Sequence, residues 1–301
     1  MKKQFIIIFL IYPSVSFFLP NPKLPKTPTV SMSLSNKFLV NTIPGIEVSI
    51  PVLIYENIFT TLHYGYEIFD IKTFILVITC TYITYGFDRF FDSQEYFKSV
   101  KHPQKNQHKL PYKISNNKLK LYNYLNENKH QYNTILGLSY LYNCIIFYDN
   151  IFTQPFILLL TASIFYKYYK NKLGPFKSLY IGFMWSGITY FLPCILHDNN
   201  LNSLLYPLDY LPLILSLTSA SNFADSKDIE EDRINNITTL PVLYGNKISN
   251  SLSSTTLLIA SILILINPNY QNNLLFNNIF LLQNLVTCCI PILMNQTIIN
   301  L

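Results

Sequence analysis

Residues 72–90 read KTFILVITCTYITYGFDRF, an apolar run that ends beside the charged residues Asp88 and Arg89. Its length is close to the roughly 20 residues that an α-helix needs to cross a bilayer. Half of the 301-residue chain is hydrophobic and only 13% is charged, whereas a soluble domain carries about 25% charged residues. The run and the composition together predict a membrane protein rather than one large soluble core.

Similar apolar windows recur along the chain and predict an all-α, multi-span transmembrane bundle of about eight spans. We place the spans at 46–66, 72–90, 132–149, 151–169, 176–197, 205–224, 248–267 and 273–296. The connection 93–131 carries eight lysines against two acids, and four more lysines lie between 167 and 177. The connections on the opposite side offer only Lys72. Because basic residues collect on one side of a membrane, this alternation predicts a single basic face.

The N-terminal residues have the composition of targeting segments rather than of a fold. Two lysines precede the apolar run 5–12 and the small residues 14–16, a pattern that predicts a signal peptide over 1–16. Residues 17–40 contain lysines and no acid, which is typical of a plastid transit segment. The pair predicts a membrane of a secondary plastid, with 46–296 as the transmembrane domain. The alternative is an ordinary signal anchor.

A first acidic motif closes the second predicted span, where residues 84–92 read TYGFDRFFD. Asp88 and Asp92 are four residues apart and therefore lie on one face of a helix. Carboxylates at membrane depth are costly and need a counter-ion or partner.

A second acidic motif closes the sixth predicted span, where residues 222–233 read NFADSKDIEEDR. Asp225, Asp228 and Asp232 have the i, i+3, i+7 spacing of one helix face. Mg²⁺ ions that bridge a diphosphate would satisfy both motifs, because Mg²⁺ commonly binds one or two carboxylates together with substrate phosphates. Arg89, Arg233 and the lysines of this face can neutralise the remaining phosphate charge. The alternative is a pair of solvated helix ends whose acids pair with nearby lysines.

The residues from 225 to 245, DSKDIEEDRINNITTLPVLYG, resemble the second signature of the UbiA family of intramembrane prenyltransferases. Asp88 and Asp92 are similar to the last two aspartates of the family's first signature, while Thr84 and Tyr85 stand where Asn and Asp are usual. Further residues resemble the tyrosine and basic residues that follow the family's fourth helix; they are Tyr166, Lys172 and Lys177. The resemblance extends over most of 46–296.

The resemblance implies a UbiA-like fold and a Mg²⁺-dependent transfer of an isoprenoid chain from a prenyl diphosphate to a lipophilic acceptor within the membrane. The implied metal-binding and catalytic residues are Asp88, Asp92, Asp225, Asp228 and Asp232. The implied diphosphate contacts are Arg89, Lys172, Arg233 and Tyr166. Some aromatic residues are candidates for shielding a carbocation, although such residues are more often simple packing; they are Tyr82, Tyr85, Phe87, Tyr166 and Trp185. The expected partners are the two substrates and membrane lipid, with no nucleic acid.

Two other functional classes stay open at this point. The family bundle has nine helices and an intact first signature, so the altered first motif and the count of eight spans favour a non-catalytic member that binds an isoprenoid or pigment or assists assembly. A transporter is a third class, although the sequence lacks evident matching halves with Gly- or Pro-broken helices. The sequence does not indicate the acceptor, the prenyl length or the oligomeric state.

Overall fold

The computed structural model describes residues 46–64, 70–101, 116–205, 207–226, 229–234 and 236–268, and the single positions 278, 281 and 284. Every regular element in these ranges is helical, which confirms the all-α prediction for this part of the chain. The helices are α1 Ile46–Tyr64, α2 Ile71–Lys101, α3 Asn116–Glu127, α4 Lys129–Tyr148, α5 Pro155–Ile164, α6 Tyr166–Leu173, α7 Lys177–Ser186, α8 Leu192–Asp198, α9 Pro207–Asp225, α10 Ile229–Ile234 and α11 Leu240–Ile266. The predicted targeting segments 1–16 and 17–40 and nearly all of the last predicted span lie outside the described residues.

Three stretches of the described chain are long and apolar enough to cross a membrane. They are Ile71–Lys98, the continuous helical stretch Tyr166–Asp198, and Leu240–Ile266. These stretches are consistent with a membrane protein. The count of eight spans stays a prediction.

Two predicted boundaries differ from the structure. The basic connection 93–131 is partly helical, because α2 continues to Lys101 and α3 follows at Asn116. Pro103 comes two residues after the end of α2, and helices commonly end just before a proline. The fourth predicted span, 151–169, contains a break: α5 ends at Ile164, and the lysines that follow belong to α6 rather than to a loop.

The start of α2 is fixed by Asp70, whose carboxylate accepts hydrogen bonds from the first turn. Its Oδ1 accepts from the Lys72 amide at 3.2 Å. Its Oδ2 accepts from the Thr73 amide at 3.0 Å and from the Thr73 hydroxyl at 2.8 Å. Partial burial alone would raise the pKa of Asp70, but the hydrogen bonds from Thr73 and Lys72 outweigh it and hold the pKa below its ordinary value.

The described residues belong to two compact units, and the N-terminal unit contains 70–170. In this unit α2 packs against α3, α4 and α5. A core of Phe90, Leu125, Tyr132 and Leu136 joins α2, α3 and α4, and Tyr82 and Phe87 pack against it. Tyr82 and Phe87, which were candidates for shielding a carbocation, therefore pack against this core.

The C-terminal unit contains 54–64 and the described residues from 171 onward, and α9 packs there against both α7 and α11. The contact between α7 and α9 is close, because a Cβ added at Gly182 would lie 2.8 Å from the Ile214 carbonyl oxygen. On the other side of α9, the Asn222 side-chain amide donates to the Ser249 carbonyl at 3.1 Å and to the Ser253 hydroxyl at 2.6 Å. Small and polar residues of this kind hold membrane helices together where apolar burial contributes little.

A buried polar cluster lies at the end of α9 remote from Asp225. Asp209, in the first turn of α9, accepts a hydrogen bond from the Asn267 side-chain amide at 2.8 Å. Its other oxygen lies 3.7 Å from Nδ1 of His63. The same ring nitrogen lies 2.9 Å from the hydroxyl of Tyr190, which sits in the π-helical turn Gly187–Phe191. These contacts tie the end of α1 to the start of α9.

Candidate functional site

The first acidic motif forms a carboxylate pair bridged by one lysine. Asp88 and Asp92 both lie on α2, and Oδ1 of each is 3.5 Å from the ammonium of Lys170 on α6. A single ammonium reaches both carboxylates because residues four apart on a helix share a face. The structure therefore confirms the predicted stacking of these two acids, and it identifies Lys170, one lysine of the predicted basic face, as the partner of both.

A second lysine of α6 extends the contact by one turn. The Lys167 ammonium lies 2.8 Å from Oε2 of Glu95, and it donates to the Phe91 carbonyl oxygen at 2.9 Å. Lys167 and Lys170 are three residues apart, so they share a face of α6, just as Asp92 and Glu95 share a face of α2. This pairing fixes the rotation of α6 relative to α2.

The second acidic motif forms another lysine-bridged pair in the C-terminal unit. The Lys177 ammonium, at the start of α7, lies 2.7 Å from Oδ1 of Asp225 and 3.7 Å from Oδ2 of Asp232. The hydroxyl of Ser178 donates to Oδ2 of Asp225 at 3.2 Å. Both carboxylates are buried, with 6% and 4% of the residue surface exposed. Their buried charge is compensated by one ammonium and by neighbouring hydroxyls.

Asp232 also organises the turn that leads into α11. Its main-chain carbonyl accepts from the Ile237 amide at 2.8 Å, and its carboxylate accepts from the Thr239 hydroxyl at 3.2 Å. Further on, Gly245 interrupts α11 with φ 78° and ψ 162°, a backbone conformation that is essentially open to glycine alone. The TLPVLYG segment therefore serves the local geometry of the turn as well as any ligand.

The second acidic motif is divided between two helices. Its spacing predicts that Asp225, Asp228 and Asp232 share one helix face. In the structure α9 ends at Asp225 and Asp232 lies on α10. Asp225 and Asp232 still converge, because Lys177 contacts both. Asp228 lies outside the described residues.

The four residues predicted to contact the diphosphate differ in their exposure and in their charged neighbours. Arg89 is within electrostatic reach of Asp88 and Asp92. Tyr166 opens α6, and its side chain is half-buried. Lys172 is exposed.

Arg233 is directed toward solvent rather than into the acidic cluster. Its guanidinium lies 2.9 Å from Oε1 of Glu230, and 58% of its side chain is exposed. Such an exposed i, i+3 pair contributes little to stability.

The family resemblance selects Lys172, whereas the sequence alone places Lys170 only among the lysines of the basic face. In the structure Lys170 contacts the acids of α2, and Lys172 is exposed. The three-residue spacing of Lys167 and Lys170 is the sequence signal that these two lysines share a face of one helix.

Each carboxylate pair fits Mg²⁺ only in part. Among the described residues, no group of three or more His, Cys, Asp or Glu side chains converges as a metal site would. Two carboxylates suffice where substrate phosphates supply further oxygens, which is the usual way that Mg²⁺ binds with a phosphate substrate. The residues present therefore fit a metal that arrives with a diphosphate better than a metal bound by the protein alone.

Comparison of the chain with protein-family models, with curated proteins and with solved structures finds no match. The resemblance to the UbiA family therefore depends on the motifs themselves.

Proposed function

We propose that this protein is a Mg²⁺-dependent prenyltransferase that moves an isoprenoid chain from a prenyl diphosphate to a lipophilic acceptor within a membrane. The acceptor is proposed to be an aromatic quinone precursor or a pigment. The observation that carries the proposal is the pair of lysine-bridged carboxylate clusters, Asp88–Asp92 and Asp225–Asp232. Both clusters belong to segments in or next to long apolar helices.

Electrostatics supports this assignment. Acids in or beside membrane-crossing helices are costly and commonly mark a functional site. Both clusters combine acids, which suit a divalent cation, with a lysine, which suits a phosphate. A diphosphate bound with Mg²⁺ is a ligand that uses both kinds of group.

The roles that we propose follow from this chemistry. Asp88, Asp92, Asp225, Asp228 and Asp232 would hold Mg²⁺, which when bound neutralises the diphosphate and stabilises its departure. The proposed phosphate contacts are Arg89, Lys172, Tyr166 and Arg233, whose guanidinium would leave Glu230 to reach a phosphate. The isoprenoid chain would occupy an apolar environment between helices, away from water.

In this proposal α4 also contacts lipid, in addition to the three longest apolar stretches. The face of α4 that is exposed in the structure is apolar and includes Ile135, Leu138 and Ile145, which are between 52% and 64% exposed. Its polar residue Asn143 is buried instead and hydrogen-bonds to Thr79 of α2. Such an arrangement supports a lipid-facing α4. We propose that α4 belongs to an eight-span bundle in a plastid membrane.

The test uses two acids, one from each motif. Asp88→Ala and Asp228→Ala are each expected to abolish the Mg²⁺-dependent release of diphosphate from geranylgeranyl or phytyl diphosphate by membranes that contain the protein. Asp149→Ala is the matched control, because Asp149 is an exposed acid at the end of α4. If both motif variants release as much diphosphate as the wild type, these acids do not form a metal site.

A non-catalytic isoprenoid- or pigment-binding protein is the second candidate. It is favoured by Thr84, which replaces an expected ligand and whose hydroxyl instead contacts the Cys80 carbonyl at 2.9 Å and the Ser163 hydroxyl at 3.1 Å. Under this alternative the protein binds a prenyl diphosphate, but no diphosphate is released with any acceptor in a panel of aromatic compounds analysed by mass.

A further inference from the structure

Each acidic cluster has a lysine at the position where a cation would be expected. In the N-terminal unit, the Lys170 ammonium is equidistant from one oxygen of Asp88 and one of Asp92, at 3.5 Å. In the C-terminal unit, Lys177 also contacts two carboxylates, Asp225 at 2.7 Å and Asp232 at 3.7 Å. The repetition of one arrangement in two units indicates a requirement of the carboxylate pairs rather than a chance contact.

Among the residues that the structure describes, the charges around the first pair cancel. Asp88 and Asp92 contribute two negative charges, Lys170 contributes one positive charge, and Arg89 within electrostatic reach contributes another. The next acid along the helix, Glu95, is paired with its own lysine, Lys167. A free divalent cation therefore meets no net negative charge here, and it would have to displace an ammonium from a partly buried position. Displacement without a new partner leaves that ammonium uncompensated, which is strongly unfavourable.

We propose that Lys170 is a resident counter-ion that prevents the Asp88–Asp92 pair from binding a free divalent cation, so that the cation enters only together with a diphosphate. The inference rests on the proposed function, because the diphosphate supplies the negative charge that the ammonium needs when it leaves the carboxylates. A lysine suits this exchange, since its point charge is carried on a flexible four-carbon stem. No bond is made or broken in this step; one ion pair replaces another.

The proposed role of Lys170 can be tested through the order in which the divalent cation and the diphosphate bind. A carboxylate pair without Lys170 has an excess of negative charge, and it should bind a divalent cation alone. Lys72 provides the matched control, because it has the same charge, is exposed at the start of α2 and has no role in the proposed site. Removing it changes the net charge of the protein by the same amount without exposing the pair.

The experiment measures free Mn²⁺ by electron paramagnetic resonance during titration of the purified full-length protein in detergent, with and without inorganic pyrophosphate. For the wild type and Lys72→Met, we expect Mn²⁺ to bind at least tenfold more tightly when pyrophosphate is present. For Lys170→Met, we expect Mn²⁺ alone to bind at least tenfold more tightly than to the wild type. Adding Asp92→Asn to Lys170→Met is expected to remove this gain, which assigns it to the first pair.

The outcomes separate the inference from the proposed function. If the wild type binds Mn²⁺ with pyrophosphate but Lys170→Met shows no gain for Mn²⁺ alone, the counter-ion role is overturned and the diphosphate site stands. Equally tight binding of Mn²⁺ to the wild type with and without pyrophosphate overturns it as well. If no form of the protein binds Mn²⁺ with pyrophosphate, the proposed function itself fails. Lys170→Gln, checked by its circular dichroism spectrum, replaces Lys170→Met if the latter does not fold.

Discussion

The close contact between α7 and α9 gives a specific prediction for Gly182→Ala. A Cβ at this position of α7 would lie 2.8 Å from the Ile214 carbonyl oxygen and 2.8 Å from the Thr218 amide nitrogen, both on the backbone of α9. It would also contact the Thr218 hydroxyl. Since ordinary contacts begin near 3.4 Å, the two helices must separate by about 0.6 Å, and backbone atoms cannot rotate out of the way as a side chain can.

Two opposing contributions set the change in the free energy of unfolding. Overpacking a well-packed contact costs about 1–3 kcal/mol, and the backbone contacts place this case in the upper half of that range. Alanine in place of glycine returns about 1 kcal/mol of helix propensity. We therefore expect Gly182→Ala to lower the free energy of unfolding by about 1–2 kcal/mol.

Gly137→Ala is the control, because Gly137 lies within α4 and a Cβ there would meet nothing within 4 Å. This variant should gain about 1 kcal/mol from helix propensity alone. Unfolding in mixed micelles of rising denaturing-detergent content, followed by circular dichroism, measures both variants. Equal stability of the two would refute the close approach of α7 and α9.

Three further predictions follow from single contacts. Asp70→Ala should cost about 1 kcal/mol of unfolding free energy because it removes the cap of α2. Hydrogen bonds hold the pKa of Asp70 below its unfolded value. The stabilisation by Asp70 is therefore present above about pH 4 and is lost as the pH falls through the folded-state pKa. The difference in unfolding free energy between variant and wild type should disappear in acid. Asp209→Ala should cost about 1–3 kcal/mol, because the buried Asn267 amide loses its carboxylate acceptor; no loss in the same detergent titration would contradict this. Gly245→Ala should cost about 1–3 kcal/mol from backbone strain alone, because a Cβ there has no neighbour within 4 Å, and a variant as stable as wild type would contradict the positive φ.

The sequence predicted the helical class and most helix positions because apolar runs have a length that only helices satisfy in a membrane. The predicted run 205–224 differs from α9, Pro207–Asp225, by one or two residues. The break at Ile164 was not predicted, because the apolar run continues through Phe165 without a glycine or proline. Periodicity alone gives no sign of where such a helix is interrupted.

The sequence predicts the shared face of the two acids in the first motif but not their ion-pair partners. Asp88 and Asp92 share a face by spacing alone, and the structure places them so. Lys170 and Lys177 pair with acids more than forty residues away in the chain, so only tertiary structure identifies them as these partners.

Calorimetry of geranylgeranyl diphosphate binding to the purified protein, with Mg²⁺ and with a chelator, tests whether the carboxylates hold a metal-bound diphosphate. The measurement requires no acceptor. We expect binding with Mg²⁺, at least tenfold weaker binding with the chelator, and loss of the Mg²⁺ effect in Asp225→Asn, which keeps the shape of the side chain. Binding that is indifferent to both Mg²⁺ and this substitution would show that the carboxylates do not hold a metal-bound diphosphate.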